Sequence, residues 1–192
     1  MRDHDVREAL YQELRIQHAA ELVTTRFVDE FGVCGEVRVD VAVLNGSMSG
    51  YELKSASDNL RRLPKQIEYY SKVLDYAVLV VADNHLSAAR ELLPKWWGIT
   101  RAVEKGQSVK LTVARKPKLN PSIDAKSLAI LLWRDEALTL LSELGMDKGV
   151  RSKTRLQVCG RLAERVELAE LRNLVREKLK QREGWRSVQL SG

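Results

Sequence analysis

The spacing of apolar residues at the start of the chain is helical. Val6, Leu10 and Leu14 recur every four residues, and acidic residues precede them at Asp3 and Asp5. Apolar side chains at this spacing form one stripe along a helix, and acids are favourable near a helix N-terminus. We therefore predict an amphipathic first helix. The segment that follows it, up to residue 33, has a composition that does not decide between helix and strand.

From residue 37 the period of the apolar residues becomes two. One face carries Val37, Val39, Val41 and Val43, and the other carries Arg38, Asp40 and Ala42. Alternation of this kind is typical of a β-strand with one buried face. The Asn45-Gly46 pair then predicts a turn region, and residues 51 to 55 can return as an antiparallel strand.

A helix, a buried strand and a hairpin are predicted next. Pro64 suits the first turn of a helix that runs to about residue 75. Residues 77 to 82 are continuously apolar, as in a strand that is covered on both faces. A short helix from Ser87 is closed by Pro94, and strands near residues 99 to 103 and 109 to 114 flank a turn.

The last third of the chain is predicted to be helical. Residues 116 to 123 contain two prolines and indicate a linker between a first domain, residues 1 to 115, and a basic helical region, residues 124 to 192. Helices are predicted at residues 124 to 144, 152 to 166 and 168 to 182. The predicted fold class is therefore α/β, in the broader sense α+β, with a mixed central sheet followed by helices.

Charge is distributed unevenly along the chain. The net charge is +6, but residues 1 to 100 carry 12 Lys and Arg against 15 Asp and Glu, a net charge of −3. Residues 101 to 192 carry 20 against 11, a net charge of +9. An acidic half that holds a metal and a basic half that binds a polyanion would produce this pattern. Amphipathic helices that solvate themselves with Lys and Arg would produce it equally well.

Composition also bears on the cellular location of the protein. No segment has the length and apolarity of a membrane-spanning helix, and the first residues lack the apolar core of a secretory signal. We expect a cytoplasmic protein that does not enter a membrane. Its two cysteines, Cys34 and Cys159, cannot form a disulfide framework and lack the spacing of a structural zinc site. We interpret both as buried thiols.

Three polar residues on the predicted strands indicate metal-dependent chemistry. Glu52 and Lys54 are two residues apart on one strand, so their side chains project from the same face. Asp40 lies on the neighbouring strand, where it can converge with Glu52 on a hard cation that prefers oxygen ligands. With Lys54 beside them, this group fits phosphodiester hydrolysis, because a metal and an ammonium group both offset the charge of the reacting phosphate.

This order of residues resembles the PD-(D/E)XK nuclease superfamily, whose fold is called restriction-endonuclease-like. The resemblance covers about residues 5 to 82 and implies an αβββαβ core. It also implies that Asp40 and Glu52 bind Mg²⁺ or Mn²⁺, with the Leu53 carbonyl as a third ligand. Lys54 would then be the catalytic lysine. Val39 stands where the motif nominally has proline.

A second element lies on the helix after the motif. Gln66 and Tyr70 are four residues apart and therefore share a helical face. The pair resembles the Gln-x-x-x-Tyr element of nuclease branches related to RecB and phage exonucleases, which implies that both residues belong to the catalytic site. Many superfamily members also take an acid from the first helix. Glu8 and Glu13 are both candidates for it, and we nominate Glu8.

A longer series of motifs resembles an uncharacterised bacterial family within the same superfamily, over nearly the full chain. The motifs are Gly50-Tyr51-Glu52-Leu53-Lys54-Ser55, Arg62-Leu63-Pro64 and Trp96-Trp97-Gly98. This resemblance implies a fold and a chemistry but no substrate. The adjacent Trp96 and Trp97 either stack on bases or seal a core.

Two groups of cations are candidates for binding nucleic acid. Arg61 and Arg62 follow the motif and either contact phosphates or solvate the entrance of a helix. Arg151, Lys153 and Arg155 begin a helix after a glycine-containing turn. There they can lie against a DNA backbone, loosely as in a helix-turn-helix.

The leading hypothesis is a Mg²⁺-dependent deoxyribonuclease whose core cuts DNA and whose basic C-terminal region positions it. RNA stays open as a substrate, and a homodimer stays open as the assembly. The alternative is a non-catalytic nucleic-acid-binding or partner module of a DNA repair or defence assembly. The two hypotheses differ in whether a cation binds at Asp40 and Glu52.

Overall fold

A six-stranded mixed sheet lies between helices in the computed structural model, which describes residues 2–106 and 108–183. The strands are β1 (Arg26–Val33), β2 (Val37–Leu44), β3 (Met48–Lys54), β4 (Tyr76–Ala82), β5 (Gly98–Lys105) and β6 (Ser108–Arg115). The α-helices are α1 (Asp3–Gln17), α2 (Leu63–Val73), α3 (Leu86–Leu92), α4 (Ala125–Ala129), α5 (Arg134–Glu143), α6 (Arg155–Arg165) and α7 (Leu168–Gln181). Short 3₁₀ turns occupy Ala19–Glu21 and Asp83–His85.

The strands lie in the sheet in the order in which they occur along the chain. β1, β2 and β3 are antiparallel neighbours, β3, β4 and β5 are parallel, and β6 returns antiparallel to β5. The elements from α1 to β4 therefore follow the expected order αβββαβ, and the predicted α+β class is confirmed. Among the described residues, every helix is too short or too polar to cross a lipid bilayer.

Helices cover both faces of the sheet. On one face the α1 stripe of Val6, Leu10 and Leu14 packs with residues that include Val41 and Val43 of β2. The other face belongs to the larger core, which contains buried residues of α2 and of α4 to α7. The prediction that β2 has only one buried face is therefore wrong. Ala42 is fully buried in the larger core, but its side chain is too small to indicate a second buried face from the sequence.

The alternation of side chains changes phase at the centre of β1 and β2. Val39 belongs to the larger core together with Ala42 and Leu44, whereas Val41 belongs to the α1 face. Val39 and Val41 were predicted on the same face, and the structure corrects this. In β1, opposite Asp40, Glu30 has a left-handed backbone with a φ of 51°. A left-handed residue kinks a strand and re-aims its neighbours.

β1 was not predicted because this irregularity disturbs its pattern. Val28 and Phe31 point into the same core although they are three residues apart, so the sequence does not alternate regularly. Pairing with β2 over the whole strand, from Arg26 opposite Leu44 to Val33 opposite Val37, stabilises it instead. A strand whose pattern is broken but whose ladder is complete can be recognised only in its tertiary setting.

The C-terminal helices pack on the sheet and share its larger core. The predicted helix over residues 124 to 144 is divided into α4 and α5 by an extended backbone at Trp133. Arginines from elsewhere bind the carbonyl groups that the break leaves free: Arg155 Nε donates to Leu132 O at 2.8 Å, and Arg182 Nη2 donates to Leu131 O at 2.9 Å. Because these partners are distant in the sequence, local helix propensity does not indicate the break, and it was not predicted.

The segment 116–123 is extended and lies against the sheet. Asn120 is buried, and its side-chain amide donates to the carbonyls of Ser71 and Leu74 at 2.8 Å each. Its backbone amide donates to the Asp75 carbonyl at 2.9 Å. The division into a first domain, a linker and a helical region stays a prediction.

Candidate active site

The candidate site lies where β2 and β3 separate. Their pairing runs from Leu44 opposite Met48 to Val41 opposite Tyr51 and goes no further. β3 continues along β4 as far as Lys54 opposite Val81, so its last residues are held on one side only. The opening is a pocket of about 790 Å³. The predicted site residues that line it are Asp40, Glu52, Leu53, Lys54, Gln66 and Arg62.

Glu52 is the centre of a buried hydrogen-bond cluster. Its Oε1 accepts from Lys54 Nζ and from Gln66 Nε2, both at 2.5 Å, and its Oε2 lies 2.6 Å from the Tyr70 hydroxyl. All four residues are less than a tenth exposed. The strand brings Lys54 to the face of Glu52, and one helical turn brings Gln66 and Tyr70 together. The predicted grouping of these four residues is therefore observed.

Tyr70 is held firmly in this cluster. Its hydroxyl also lies 2.6 Å from the Arg38 carbonyl, so its single proton can be donated to either oxygen. The ring stacks on Trp97 with a centroid distance of 5.6 Å. Burial, and next the charge of Glu52, raise the pKa of Tyr70, so the hydroxyl stays protonated. Trp96 and Trp97 are both buried, which confirms that they seal the core and excludes stacking on bases.

Asp40 enters the pocket from β2. Its Oδ2 accepts from the Leu53 backbone amide at 2.7 Å, a bond that replaces the missing strand ladder. Burial and the nearby charge of Glu52 raise the pKa of Asp40, whereas the Leu53 hydrogen bond opposes this rise. Two carboxylates that disfavour each other's charge in one pocket form an environment that a cation would stabilise.

The donor set fits a hard divalent cation. Among the described residues no three His, Cys, Asp or Glu side chains converge as a metal-binding group. Six acids line the pocket, and the two carboxylates whose charges act on each other there are those of Asp40 and Glu52. Gln66 adds a buried oxygen, since its Oε1 accepts no hydrogen bond. Mg²⁺ commonly takes one or two carboxylates and completes its octahedral shell with water and substrate oxygens. Two carboxylates are therefore sufficient.

The residues behind Asp40 were not predicted from the sequence. Arg7 of α1 donates to the Asp40 carbonyl at 2.9 Å and to Asp29 Oδ1 at 3.0 Å, and it lies 3.6 Å from Glu30 Oε1. The Tyr11 hydroxyl donates to the same Asp29 oxygen at 2.5 Å. The site residues predicted on the first helix were acids alone. The available signal was that Arg7 and Tyr11 are four residues apart and flank the apolar stripe.

The first-helix acids do not lie as predicted. Glu8 is exposed and is not among the residues that line the pocket, and Glu13 is exposed as well. The nomination of Glu8 is therefore corrected. Asp3, one turn earlier, lines the pocket and lies 3.6 Å from Arg7. The difference arises because α1 faces the site with the side that carries Asp3 and Arg7.

Cations surround the pocket entrance. Arg61 and Arg62 are both exposed, and of the two only Arg62 lines the pocket. Two further cations that were not predicted, Arg38 and Lys65, also line it. Lys65 is paired with Glu36 at 2.8 Å. The entrance therefore mixes cations with acids.

The three C-terminal cations have different surroundings. Arg151 pairs with Asp147 at 2.6 Å, and Arg155 binds the carbonyls at the end of α4. Arg155 thus joins α6 to α4, whereas Arg151 pairs within the turn between α5 and α6 and its side chain is 77% exposed. Lys153 precedes α6 and lines a separate groove on the helical region.

The chain matches a known protein family over almost its whole length. The family model described as bacteriophage P4 protein cII matches residues 2–191, and the chain belongs to this family. Protein cII of Enterobacteria phage P4 is 24% identical to it over 146 residues, which are 76% of this chain and 54% of that protein. The chain thus spans about half the length of this curated relative.

Two solved structures are similar to the chain. The SPO1766 protein of unknown function from Silicibacter pomeroyi is 17% identical, with a TM-score of 0.47, over 80% of this chain and 98% of that one. SfsA of Pyrococcus furiosus, solved in complex with Ca²⁺, is 13% identical, with a TM-score of 0.36, over 59% of this chain and 63% of that one.

Proposed function

We propose that this member of the phage P4 cII family is a Mg²⁺-dependent nuclease of the PD-(D/E)XK kind that hydrolyses phosphodiester bonds of DNA. One observation carries the proposal: Asp40, Glu52 and Lys54 meet in a single pocket, where two strands separate. A purely structural ion pair would not need a second carboxylate or an open pocket beside it.

The carboxylates of Asp40 and Glu52 would hold the cation, with the Leu53 carbonyl as a further ligand. Bound there, Mg²⁺ supplies a more acidic water and offsets negative charge on the phosphate. The Leu53 amide fixes the orientation of Asp40, and Gln66 and Tyr70 fix that of Glu52. Preorganised ligands bind a cation without the cost of ordering their side chains.

Lys54 has the role of the catalytic cation. Its ammonium group is buried and lies 2.5 Å from Glu52 Oε1, so it stays beside the scissile phosphate when a substrate enters. A charge placed in a buried site before the reaction stabilises a transition state more strongly than the same charge in water. Arg38, Arg62 and Lys65 at the entrance are suited to contact the flanking phosphates.

The direct test is hydrolysis of plasmid DNA by the purified protein with Mg²⁺ or Mn²⁺. We expect nicking that EDTA abolishes and that Asp40→Asn lowers by about 10³-fold or more. The matched control is Asp135→Asn, which makes the same chemical change at a carboxylate that is 92% exposed on α5 and should cleave as the wild type does.

Inactivity of the folded wild-type protein on duplex, single-stranded and branched DNA and on RNA, with both metals, would contradict the proposal. If the same protein bound DNA with salt-dependent affinity, the non-catalytic module would be the better interpretation. Activity on RNA alone would change the proposed substrate from DNA to RNA, and the proposed hydrolysis of phosphodiester bonds would stand. Sedimentation of the active species would show whether it is a homodimer.

A further inference from the structure

A second groove lies on the helical region. It has a volume of about 480 Å³ and is formed by α4, the turn before α6 and α6 itself. Three cations line it: Lys126 of α4, Lys153 before α6 and Arg161 of α6. We call this groove, defined by these three cations, the basic groove. The groove also contains one acid, Glu164.

The three cations of the basic groove form no direct ion pair with the described residues, although Lys126 interacts electrostatically with Asp124. In the part of the chain that the structure describes, none of their side chains makes a salt bridge or a hydrogen bond. Arg151 and Arg155 lie close by in sequence but are bound by Asp147 and by the carbonyl ends of α4. Lys148 and Arg165 of the helical region are unpaired as well but do not line the groove, so the groove holds three of the five unpaired cations of residues 124–183, where an anionic ligand would offset their charge.

Gly160 provides an independent observation. It lies in the interior of α6 and lines the groove, and a Cβ added there would meet no atom within 4 Å. Glycine in a helix interior is less stable than alanine, and no packing among the described residues accounts for glycine at this position. A ligand whose backbone lies against the helix would account for it, since a side chain there would keep that ligand away.

Helix α4 connects the groove with the candidate active site. The Ser127 carbonyl, next to Lys126, lies 3.9 Å from Cys34 Sγ in the turn between β1 and β2. The following residues of that turn, Gly35 and Glu36, line the active-site pocket. The turn that lines the pocket is therefore in contact with α4, which also contributes Lys126 to the groove.

We propose that the basic groove binds the sugar-phosphate backbone of the DNA that extends beyond the active site. This inference rests on the proposed nuclease function, because that function makes the ligand a long polyanion. The cations neutralise phosphates, and Gly160 lets the backbone approach α6. The predicted role of Lys153 in binding nucleic acid is thus retained. In this proposal Lys126 and Arg161 act beside it, in place of Arg151 and Arg155.

The test compares binding to a long and a short duplex in the Asp40→Asn background, which prevents cleavage during the measurement. The long duplex has about three helical turns and the short one less than one turn. The groove variant is Lys126→Gln/Lys153→Gln/Arg161→Gln. The control removes the same charge from exposed lysines elsewhere, as Lys95→Gln/Lys105→Gln/Lys110→Gln. Fluorescence anisotropy is recorded at several salt concentrations.

We expect the groove variant to bind the long duplex at least about tenfold more weakly than the control. The slope of log K against log salt should fall by about 2 to 3, since about 0.9 is lost for each phosphate contact. Binding of the short duplex should be equal in the two variants. Gly160→Ala should raise the melting temperature and yet weaken binding of the long duplex, whereas a merely structural glycine would leave that binding unchanged.

Equal affinity of the groove and control variants for the long duplex would overturn the proposal, whatever the cleavage rates are. Hydrolysis of the short duplex, measured with the intact Asp40, reports on the active site alone. If the wild type cut nothing but the groove variant still lost binding, the nuclease function would fail and the groove assignment would stand.

Discussion

The sheet carries two buried carboxylates at opposite ends of the same parallel strand pair, and they differ in their surroundings. Glu52 lies near the carboxyl end of β3, and Asp75 immediately precedes the amino end of β4. Both are less than a twentieth exposed, and both have a basic partner, Lys54 for Glu52 and Arg172 for Asp75. By burial and ion pairing alone they would be classed together.

Their other partners separate them. Asp75 Oδ2 accepts from the Met48 backbone amide at 2.7 Å, and its backbone is bonded to Met48 and Asn120. It thus joins β3, the 116–123 segment and α7. Among the described residues the Glu52 carboxylate is bonded only to side chains, beside a second carboxylate in an open pocket. A buried acid that ties backbone segments together is structural, whereas one that side chains orient toward a cavity is available for chemistry. The carboxyl ends of parallel strands are also where ligands bind in such sheets.

The largest expected difference between the two carboxylates is in activity. Replacing both partners avoids an unpaired buried charge. We expect Glu52→Gln/Lys54→Met to lose about 10³-fold or more in hydrolysis rate, because a ligand and the catalytic cation are both gone. Asp75→Asn/Arg172→Met should keep the wild-type rate. Initial rates well below both melting temperatures measure this, and an equal loss in the second variant would erase the distinction.

The reverse difference is expected in stability. Asp75→Asn leaves Arg172 without its partner, and breaking a buried pair typically costs 3 to 5 kcal/mol. Because Arg172 is 27% exposed, we expect a smaller loss of about 3 kcal/mol in the free energy of unfolding. Urea denaturation measures it, with Asp135→Asn as a control that should unfold as the wild type does. A loss in Asp75→Asn no greater than in that control would show that the pair does not hold α7 to the sheet.

Metal binding should also distinguish the two sites, through a change in the free energy of unfolding that is slightly smaller than the loss expected for Asp75→Asn. Mg²⁺ at a hundred times its Kd should stabilise the wild type by about 2.7 kcal/mol, since the ion binds only the folded chain. Asp40→Asn should lose this gain and Asp75→Asn should keep it. Thermal denaturation with and without the ion provides the measurement. A gain that survives in Asp40→Asn would place the cation elsewhere.

The elements with a regular pattern were predictable from sequence. The stripe of α1, the continuous apolar run of β4 and the proline at the start of α2 each indicate an element by local chemistry, and each was found. The grouping of Glu52 with Lys54, and of Gln66 with Tyr70, follows from the periods of a strand and a helix. These features depend on neighbours two to four residues away, so they can be read along the chain.

Features that depend on distant partners were not predictable. β1 required its ladder with β2, and the break between α4 and α5 required arginines from α6 and from the end of α7. Arg7 gained its place at Asp40 only when α1 docked on the sheet, and the same docking left Glu8 exposed.

The sequence by itself thus determined which residues could carry chemistry on β2, β3 and α2, because side-chain direction follows from backbone period. Only the tertiary structure decided that β2 and β3 separate at Asp40 and that Arg7 supports it. It also decided that Arg151 and Arg155 are bound within the helical region, while the Lys153 side chain makes no hydrogen bond or salt bridge to the described residues. The physical reason is that hydrogen bonds and ion pairs between distant segments depend on how the layers pack, and no local pattern encodes that packing.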